Sequence, residues 1–99
     1  MHVRLLARAQ KDVERIDAWW RSERPAAPRA FLDELESALQ LVRDQPEVAP
    51  VFTSRNGRAI RRLFLVECRA HVYYLRAQED TVSVLRVWRA VRGRPPSLR

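Results

Sequence analysis

The chain has few of the residues that build metal centres, disulfide frameworks or phosphate-binding loops. Its 99 residues include one cysteine, Cys68, and two histidines, His2 and His71, which are too few for a tetrahedral metal set. A single cysteine also excludes an internal disulfide and suits a reducing compartment. The two glycines, Gly57 and Gly93, exclude a glycine-rich phosphate loop. We therefore expect no metal and no cofactor.

Long apolar segments are also lacking. No apolar run approaches the roughly 20 residues that a membrane-spanning helix needs. The opening segment is interrupted by Arg4, Arg8 and Lys11, so it does not have the pattern of a secretory signal. We expect a cytoplasmic protein without membrane contact.

Charge is distributed very unevenly along the chain. Residues 1–50 carry 8 basic and 9 acidic side chains, whereas residues 51–99 carry 11 arginines and 3 acidic side chains, a net charge of +8. A strongly basic half indicates a polyanionic partner, either a nucleic acid or an acidic protein segment.

Apolar spacing predicts a short strand over residues 2–6 and then two amphipathic helices. The first helix runs from about Arg8 to Arg24, because Pro25 disfavours helix before it. Its buried stripe comprises Ala9, Val13, Ile16 and Trp20, and its solvated side comprises Lys11, Asp12, Glu14, Arg15 and Asp17. The second helix begins near Pro28 and ends before Pro46. Its buried stripe comprises Phe31, Leu35, Ala38, Leu39 and Val42.

The second half is predicted to be a sheet. Residues 46–57 contain two prolines, an Asn-Gly pair and no periodicity, so they are interpreted as a loop. Three strand-like runs follow, AIRRLFLVE (with Cys68 placed in strand), HVYYLRA and TVSVLRVWRAV, separated by short polar breaks that suit antiparallel hairpins. Residues 1–92 should form a single domain, and residues 93–99 a basic, proline-containing tail that is extended and poorly ordered.

These elements predict an α+β fold of order β-α-α-β-β-β, with a helix hairpin packed on a small antiparallel sheet. Strict alternation would place Val82, Val84 and Trp88 on one face of the last strand and Leu85 and Val87 on the other. Both faces of the sheet are apolar, but the fold has only one helical layer, so one apolar face is left uncovered. An uncovered apolar face favours a partner surface there. Twist and edge effects that hide these side chains are the alternative.

One set of strand residues could bind or act on a polyanion. It comprises Arg61, Arg62, His71, Tyr73, Arg86 and Arg89. Arginines would hold phosphates and Tyr73 could stack on a base. Metal-free RNA cleavage by His71 with Arg61 and Arg86 is conceivable, because it needs proton transfer and cationic stabilisation. Binding requires less exact geometry and is the preferred interpretation, and His71 alone is interpreted as a half-buried strand residue.

The whole pattern resembles the RelE/ParE superfamily of bacterial type II toxins. The resemblance is carried by the segments ARAQKDVERIDAWW, AFLDELESALQLVRDQP, RAIRRLFLV, HVYYLR and VSVLRVWRAVR. It implies a small toxin that is neutralised by a cognate antitoxin through an acidic, partly disordered segment and that can form a hetero-oligomer with this antitoxin. That expectation agrees with the basic half and the uncovered apolar face.

Two branches of the superfamily imply different targets. RelE-like members cut mRNA on the ribosome with arginines, lysines and a C-terminal tyrosine, but Lys11 is the only lysine here and no tyrosine follows Trp88. ParE-like members poison DNA gyrase by trapping its cleaved-DNA complex, and the Arg61-Arg62 pair and the HVYY strand match that branch. The resemblance thus favours a ParE-like toxin that binds its target without catalysis. The alternatives are a ribosome-dependent endoribonuclease and an inactive member held by its antitoxin.

Overall fold

The chain forms two helices and five strands in a computed structural model, which describes residues 1–98. In chain order they are β1 (His2–Leu5), α1 (Ala7–Glu23), α2 (Ala30–Asp44), β2 (Val51–Arg55), β3 (Arg58–Leu65), β4 (Ala70–Gln78) and β5 (Thr81–Arg89), followed by a 3-10 helix over Ala90–Arg92. This arrangement confirms the predicted α+β class, with one strand more than expected.

Each helix ends just before a proline, as predicted. At the end of α1 the Arg24 N–H donates to the Trp20 carbonyl at 2.8 Å, and Pro25 follows. At the end of α2 the Gln45 N–H donates to the Leu41 carbonyl at 2.8 Å, directly before Pro46. Among the described residues, neither helix has the length and apolar character required to cross a membrane.

The sheet has the strand order β1-β5-β4-β3-β2 and is mixed, which corrects the prediction of a wholly antiparallel sheet. β1 pairs in parallel with β5, with His2 opposite Thr81 and Leu5 opposite Val84. The other three pairings are antiparallel. β5 therefore lies inside the sheet, and β1 and β2 are its edge strands.

The segment predicted as a loop over residues 46–57 contains β2, so that prediction was wrong for residues 51–55. β2 pairs with β3 through a hairpin in which Arg55 lies opposite Arg58. Its turn is the Asn56-Gly57 pair, with φ of 52° and 77°. Positive φ at both positions is what a two-residue hairpin turn requires, and Asn-Gly supplies it. The nearby prolines and the lack of alternation concealed this strand.

One face of the sheet, the inner face, packs against both helices and forms the main core. Its buried residues include Ala70, Val72 and Tyr74 of β4, Val82, Val84 and Val87 of β5, and Phe31, Leu35, Ala38 and Val42 of α2. The Tyr74 hydroxyl donates to the Pro46 carbonyl at 2.9 Å and accepts from the Ala49 N–H at 3.4 Å. These bonds fix the segment between α2 and β2, and burial raises the pKa of Tyr74.

A β-bulge in β5 changes which side chains face the helices. Tyr73 lies opposite Arg86, whereas Tyr74 lies opposite Val84, so Leu85 is an extra residue. After a bulge the alternation shifts by one residue. Val87 consequently joins the inner core, and Trp88 packs on the opposite, outer face. The predicted placement of these two residues was therefore wrong.

The tail contacts the outer face of the sheet over part of residues 93–98. Arg99 lies outside the described residues. The Trp88 indole N–H donates to the Arg94 carbonyl at 2.9 Å, and Arg86 Nη1 donates to the Ser97 carbonyl at 3.1 Å. Leu98 packs against a second apolar cluster, whose buried members are Ile60, Tyr73 and Leu85. The outer face is thus partly covered by the chain itself.

The β3–β4 turn is attached to α2 through one carboxylate. Glu34 accepts from the backbone N–H groups of Glu67 at 3.0 Å and Cys68 at 2.9 Å. Cys68 lies in this turn, not in a strand as predicted, and is buried. Burial, reinforced by Glu34, raises the pKa of the Cys68 thiol to about 12. The thiol is therefore protonated at neutral pH and is a poor nucleophile.

Candidate functional site

Arg86 is part of a buried ion pair beside the part of β5 that extends beyond the end of β1. β1 ends at Leu5, and beyond it the Val87 N–H donates to Asp12 of α1 at 3.1 Å. Arg86 reaches the same carboxylate with two hydrogen bonds, Nε to Oδ2 at 2.6 Å and Nη2 to Oδ1 at 2.9 Å. The two side chains are only 7% and 3% exposed. The hydrogen bond from Asp12 raises the pKa of Arg86, which stays charged.

The role of Arg86 as a target or nucleic-acid contact stays a prediction. Its guanidinium is committed to Asp12 and to the tail carbonyl of Ser97. One correction concerns Asp12, which was predicted on the solvated side of α1 but is 3% exposed. Asp12 lies three residues after Ala9 and four before Ile16, so helical spacing places it within the buried stripe.

Arg61 and Arg62 are adjacent on β3 and therefore point to opposite faces of the sheet. Arg61 lies on the inner face and donates from Nη1 to the carbonyls of Ala49 at 2.7 Å and Glu47 at 3.2 Å. These bonds hold the loop that precedes β2. The predicted patch is consequently divided between two faces.

Arg89 lies on the inner side of the sheet, opposite Ala70. Its guanidinium carbon is 3.9 Å from the ring centroid of Trp19, a stacking arrangement between a cation and an aromatic ring. Its Nε is buried and has no hydrogen-bond partner among the described residues. This packing holds the Arg89 guanidinium against Trp19 of α1.

The remaining predicted residues, Arg62, His71 and Tyr73, come together on the outer face. In the register of the sheet Arg62 lies opposite Tyr73, and His71 lies between Phe64 and Trp88. With the tail they line an open cavity of about 250 Å³, which we call the outer-face cleft. Its described lining residues are Arg62, His71, Tyr73, Trp88, Arg89, Ala90, Gly93, Arg94 and Pro95. None of them is acidic.

The electrostatics of the outer-face cleft are those of an anion site. The Arg62 guanidinium carbon is 4.5 Å from the ring centroid of Phe52 and forms no ion pair with a described carboxylate. Burial, together with the positive charge of Arg62, lowers the pKa of His71 below its ordinary 6.5. A neutral imidazole beside an unpaired guanidinium can donate a hydrogen bond to an anion without adding to the repulsion.

We predict that the pKa of His71, measured by NMR titration, lies below 6.5 and rises when Arg62 is replaced by alanine. Since the folded-state pKa is lowered, the unfolded chain takes up the proton first. The free energy of unfolding should therefore decrease as the pH falls below about 6.5 and level off below the folded-state pKa. Arg61→Ala, on the opposite face, is the control and should leave the pKa unchanged. Equal shifts in both variants would contradict the assigned cause.

Sequence reasoning missed two parts of this site. Arg94 and Pro95 form one wall of the outer-face cleft, but a short segment rich in proline and arginine carries no periodic signal for where it packs. Asp12 could have been found from its spacing within the apolar stripe of α1. Among the described residues no cluster of histidine, cysteine or acidic side chains could hold a metal ion.

The fold defines a class of small α+β proteins with a helix hairpin on one face of a mixed sheet. The sequence profile of the family described as ParE toxin of type II toxin-antitoxin system, parDE, matches residues 3–93. The chain therefore belongs to the ParE toxin family, which confirms the resemblance to the ParE-like branch. An antitoxin partner is implied by membership of this family.

A solved structure shares the fold. The chain resembles a chain of the chromosomal ParDE TA system from P. aeruginosa with a TM-score of 0.62 and 18% sequence identity. The alignment covers 90% of this chain and 95% of that chain. A comparison with curated protein sequences gave no match.

Proposed function

We propose that the protein inhibits growth by binding DNA gyrase and trapping its cleaved-DNA complex, and that it does so in the cytoplasm, where gyrase works on DNA. The observation that carries this proposal is the family match over residues 3–93. The outer-face cleft supports it, because an unpaired arginine and a histidine without an acidic neighbour suit an anionic partner.

The placement of the arginines favours binding over RNA cleavage. The residues considered for a ribonuclease were His71, Arg61 and Arg86, but Arg61 donates to loop carbonyls on the inner face and Arg86 pairs with Asp12. Both guanidinium groups therefore already hydrogen-bond to other groups of the chain. The positive charge of Arg62, by contrast, adds to burial in lowering the pKa of His71.

We propose further that an antitoxin neutralises the toxin through an acidic, partly disordered segment. The net charge of +8 over residues 51–99 would attract such a segment. Apolar side chains that remain exposed on the sheet and its turn, Phe64 at 43% and Val66 at 70%, could be covered when it folds onto the toxin.

The decisive experiment combines the purified protein with gyrase, ATP and supercoiled plasmid. Linear DNA that is released only after protease treatment is the expected product of a trapped cleavage complex. Omission of ATP and omission of the toxin are the controls. If a folded preparation gives no linear DNA, the gyrase proposal fails. Cleavage of ribosome-bound mRNA that depends on His71 would then support the alternative endoribonuclease.

A further inference from the structure

Four side chains around the outer-face cleft have hydrogen-bond donors to offer. The side chains of Arg62, His71 and Tyr73 form no hydrogen bond with another described residue, and Arg94 lines the same cavity. These side chains contact aromatic rings instead. The Arg62 guanidinium lies over the ring of Phe52, and the ring centroids of His71 and Phe64 are 5.0 Å apart. We propose that this cleft binds one backbone phosphate of a single-stranded nucleic acid.

The geometry suits a phosphate because the donors converge from more than one direction. Arg62 and His71 approach from β3 and β4, and Arg94 approaches from the tail. A phosphate oxyanion can accept from several donors at once, and guanidinium groups bind it with paired, charge-assisted hydrogen bonds. A volume of about 250 Å³ leaves room for one phosphate with part of the adjoining sugar.

The neighbouring aromatic surface favours a nucleic acid over an acidic peptide. Phe64 is 43% exposed and lies next to His71, with their ring planes inclined by 42°. An exposed ring beside a phosphate site can stack on an unpaired base. A carboxylate side chain has no ring that could stack on it. Bases within a duplex are already stacked, so a single strand is the form that can use Phe64.

The tail gives this site a wall that is not covered by the family match. The match ends at residue 93, and Arg94 and Pro95 lie beyond it. This part of the tail is held by the hydrogen bond from the Trp88 indole to the Arg94 carbonyl at 2.9 Å. The phosphate site is therefore assembled from the sheet and from the tail together.

This inference goes beyond the proposed function, because it requires no gyrase. The test measures fluorescence anisotropy of a short labelled oligothymidine, and of its RNA counterpart, with the full chain. Arg62→Ala should weaken binding about tenfold and reduce the salt dependence by about 0.7 in log–log slope, the value for one phosphate of a single strand. Phe64→Ala should weaken it by about tenfold through lost stacking.

Arg61→Ala is the matched control, since it removes the same charge from the adjacent position on the opposite face. Arg43→Ala, at an exposed position of α2, is a second control. Each variant is checked for folding by circular dichroism before binding is measured. Equal binding of DNA and RNA supports recognition of the shared phosphate and base, and a preference for either identifies the natural strand.

Three results would overturn the inference. They are an absence of oligonucleotide binding, equal weakening by Arg61→Ala and Arg62→Ala, and displacement of the oligonucleotide by a polyglutamate peptide whose own binding depends on Arg62. The last result would assign the cleft to an acidic protein segment. Gyrase is absent from this assay, so a negative result does not contradict the gyrase proposal. A negative gyrase assay likewise does not contradict phosphate binding in the cleft.

Discussion

Replacing Asp12 with alanine is expected to lower the free energy of unfolding by about 3–5 kcal/mol, the range for removing one partner of a buried ion pair. The substitution leaves the buried Arg86 guanidinium without its carboxylate. It also leaves the Val87 N–H without an acceptor at the edge of β5. A loss of this size is a large fraction of the 5–15 kcal/mol that typically separates folded from unfolded states.

Urea unfolding followed by circular dichroism measures this loss. Asp17→Ala is the matched control, because Asp17 is on the same helix and pairs with Arg21 on the surface at 3.0 Å. Such surface pairs contribute about 0–1 kcal/mol. The double substitution of Asp12 by leucine and Arg86 by methionine should recover part of the loss, since no unpaired charge remains buried. A loss below 1 kcal/mol in Asp12→Ala would show that the pair is not important for stability.

Arg62→Ala is expected to reduce gyrase poisoning at least about tenfold while leaving the fold intact, in line with the loss of a charge-assisted contact. The Arg62 side chain forms a ring contact with Phe52 but no ion pair with a described carboxylate, so its removal leaves no buried group unsatisfied. The measurement is the toxin concentration that gives half-maximal linear DNA in the gyrase assay. Growth after induction provides the corresponding readout in cells.

Arg61→Ala separates this effect from a loss of stability. Arg61 supports the loop before β2 through the carbonyls of Glu47 and Ala49, so its replacement should lower the unfolding midpoint. The poisoning activity of the folded fraction should change little. If Arg61→Ala abolished activity at full folding and Arg62→Ala did not, the target contact would lie on the inner face instead.

The helices could be predicted from the sequence because their physical signals are local. Apolar residues at helical spacing and prolines at the ends defined α1 and α2 within a few residues. β2 was missed, because Pro46 and Pro50 and the absence of alternation outweighed the Asn56-Gly57 turn signal. The parallel pairing of β1 with β5 joins residues 79 apart, such as His2 and Thr81, and no local pattern specifies it.

The candidate site was only partly predictable, for two physical reasons. Alternation along β5 holds as far as Leu85, and the bulge there moves Val87 and Trp88 to faces opposite to those predicted. The position of an arginine in the sequence also does not show whether the folded chain places a carboxylate beside it to form an ion pair. Arg62 and Arg86 have similar neighbours in the sequence, yet Arg62 pairs with no described carboxylate and Arg86 is fixed by Asp12.

The interior position of β5 determines when the chain can fold during its synthesis. Proteins are made from the N-terminus, and domains generally fold as units once their parts are available. Until residues 81–89 leave the ribosome, β1 has no strand to pair with, and the inner core lacks Val82, Val84 and Val87. A product terminated before Thr81 therefore cannot complete the sheet or the ion pair of Arg86 with Asp12. Translation through β5 is therefore required before the toxin can fold.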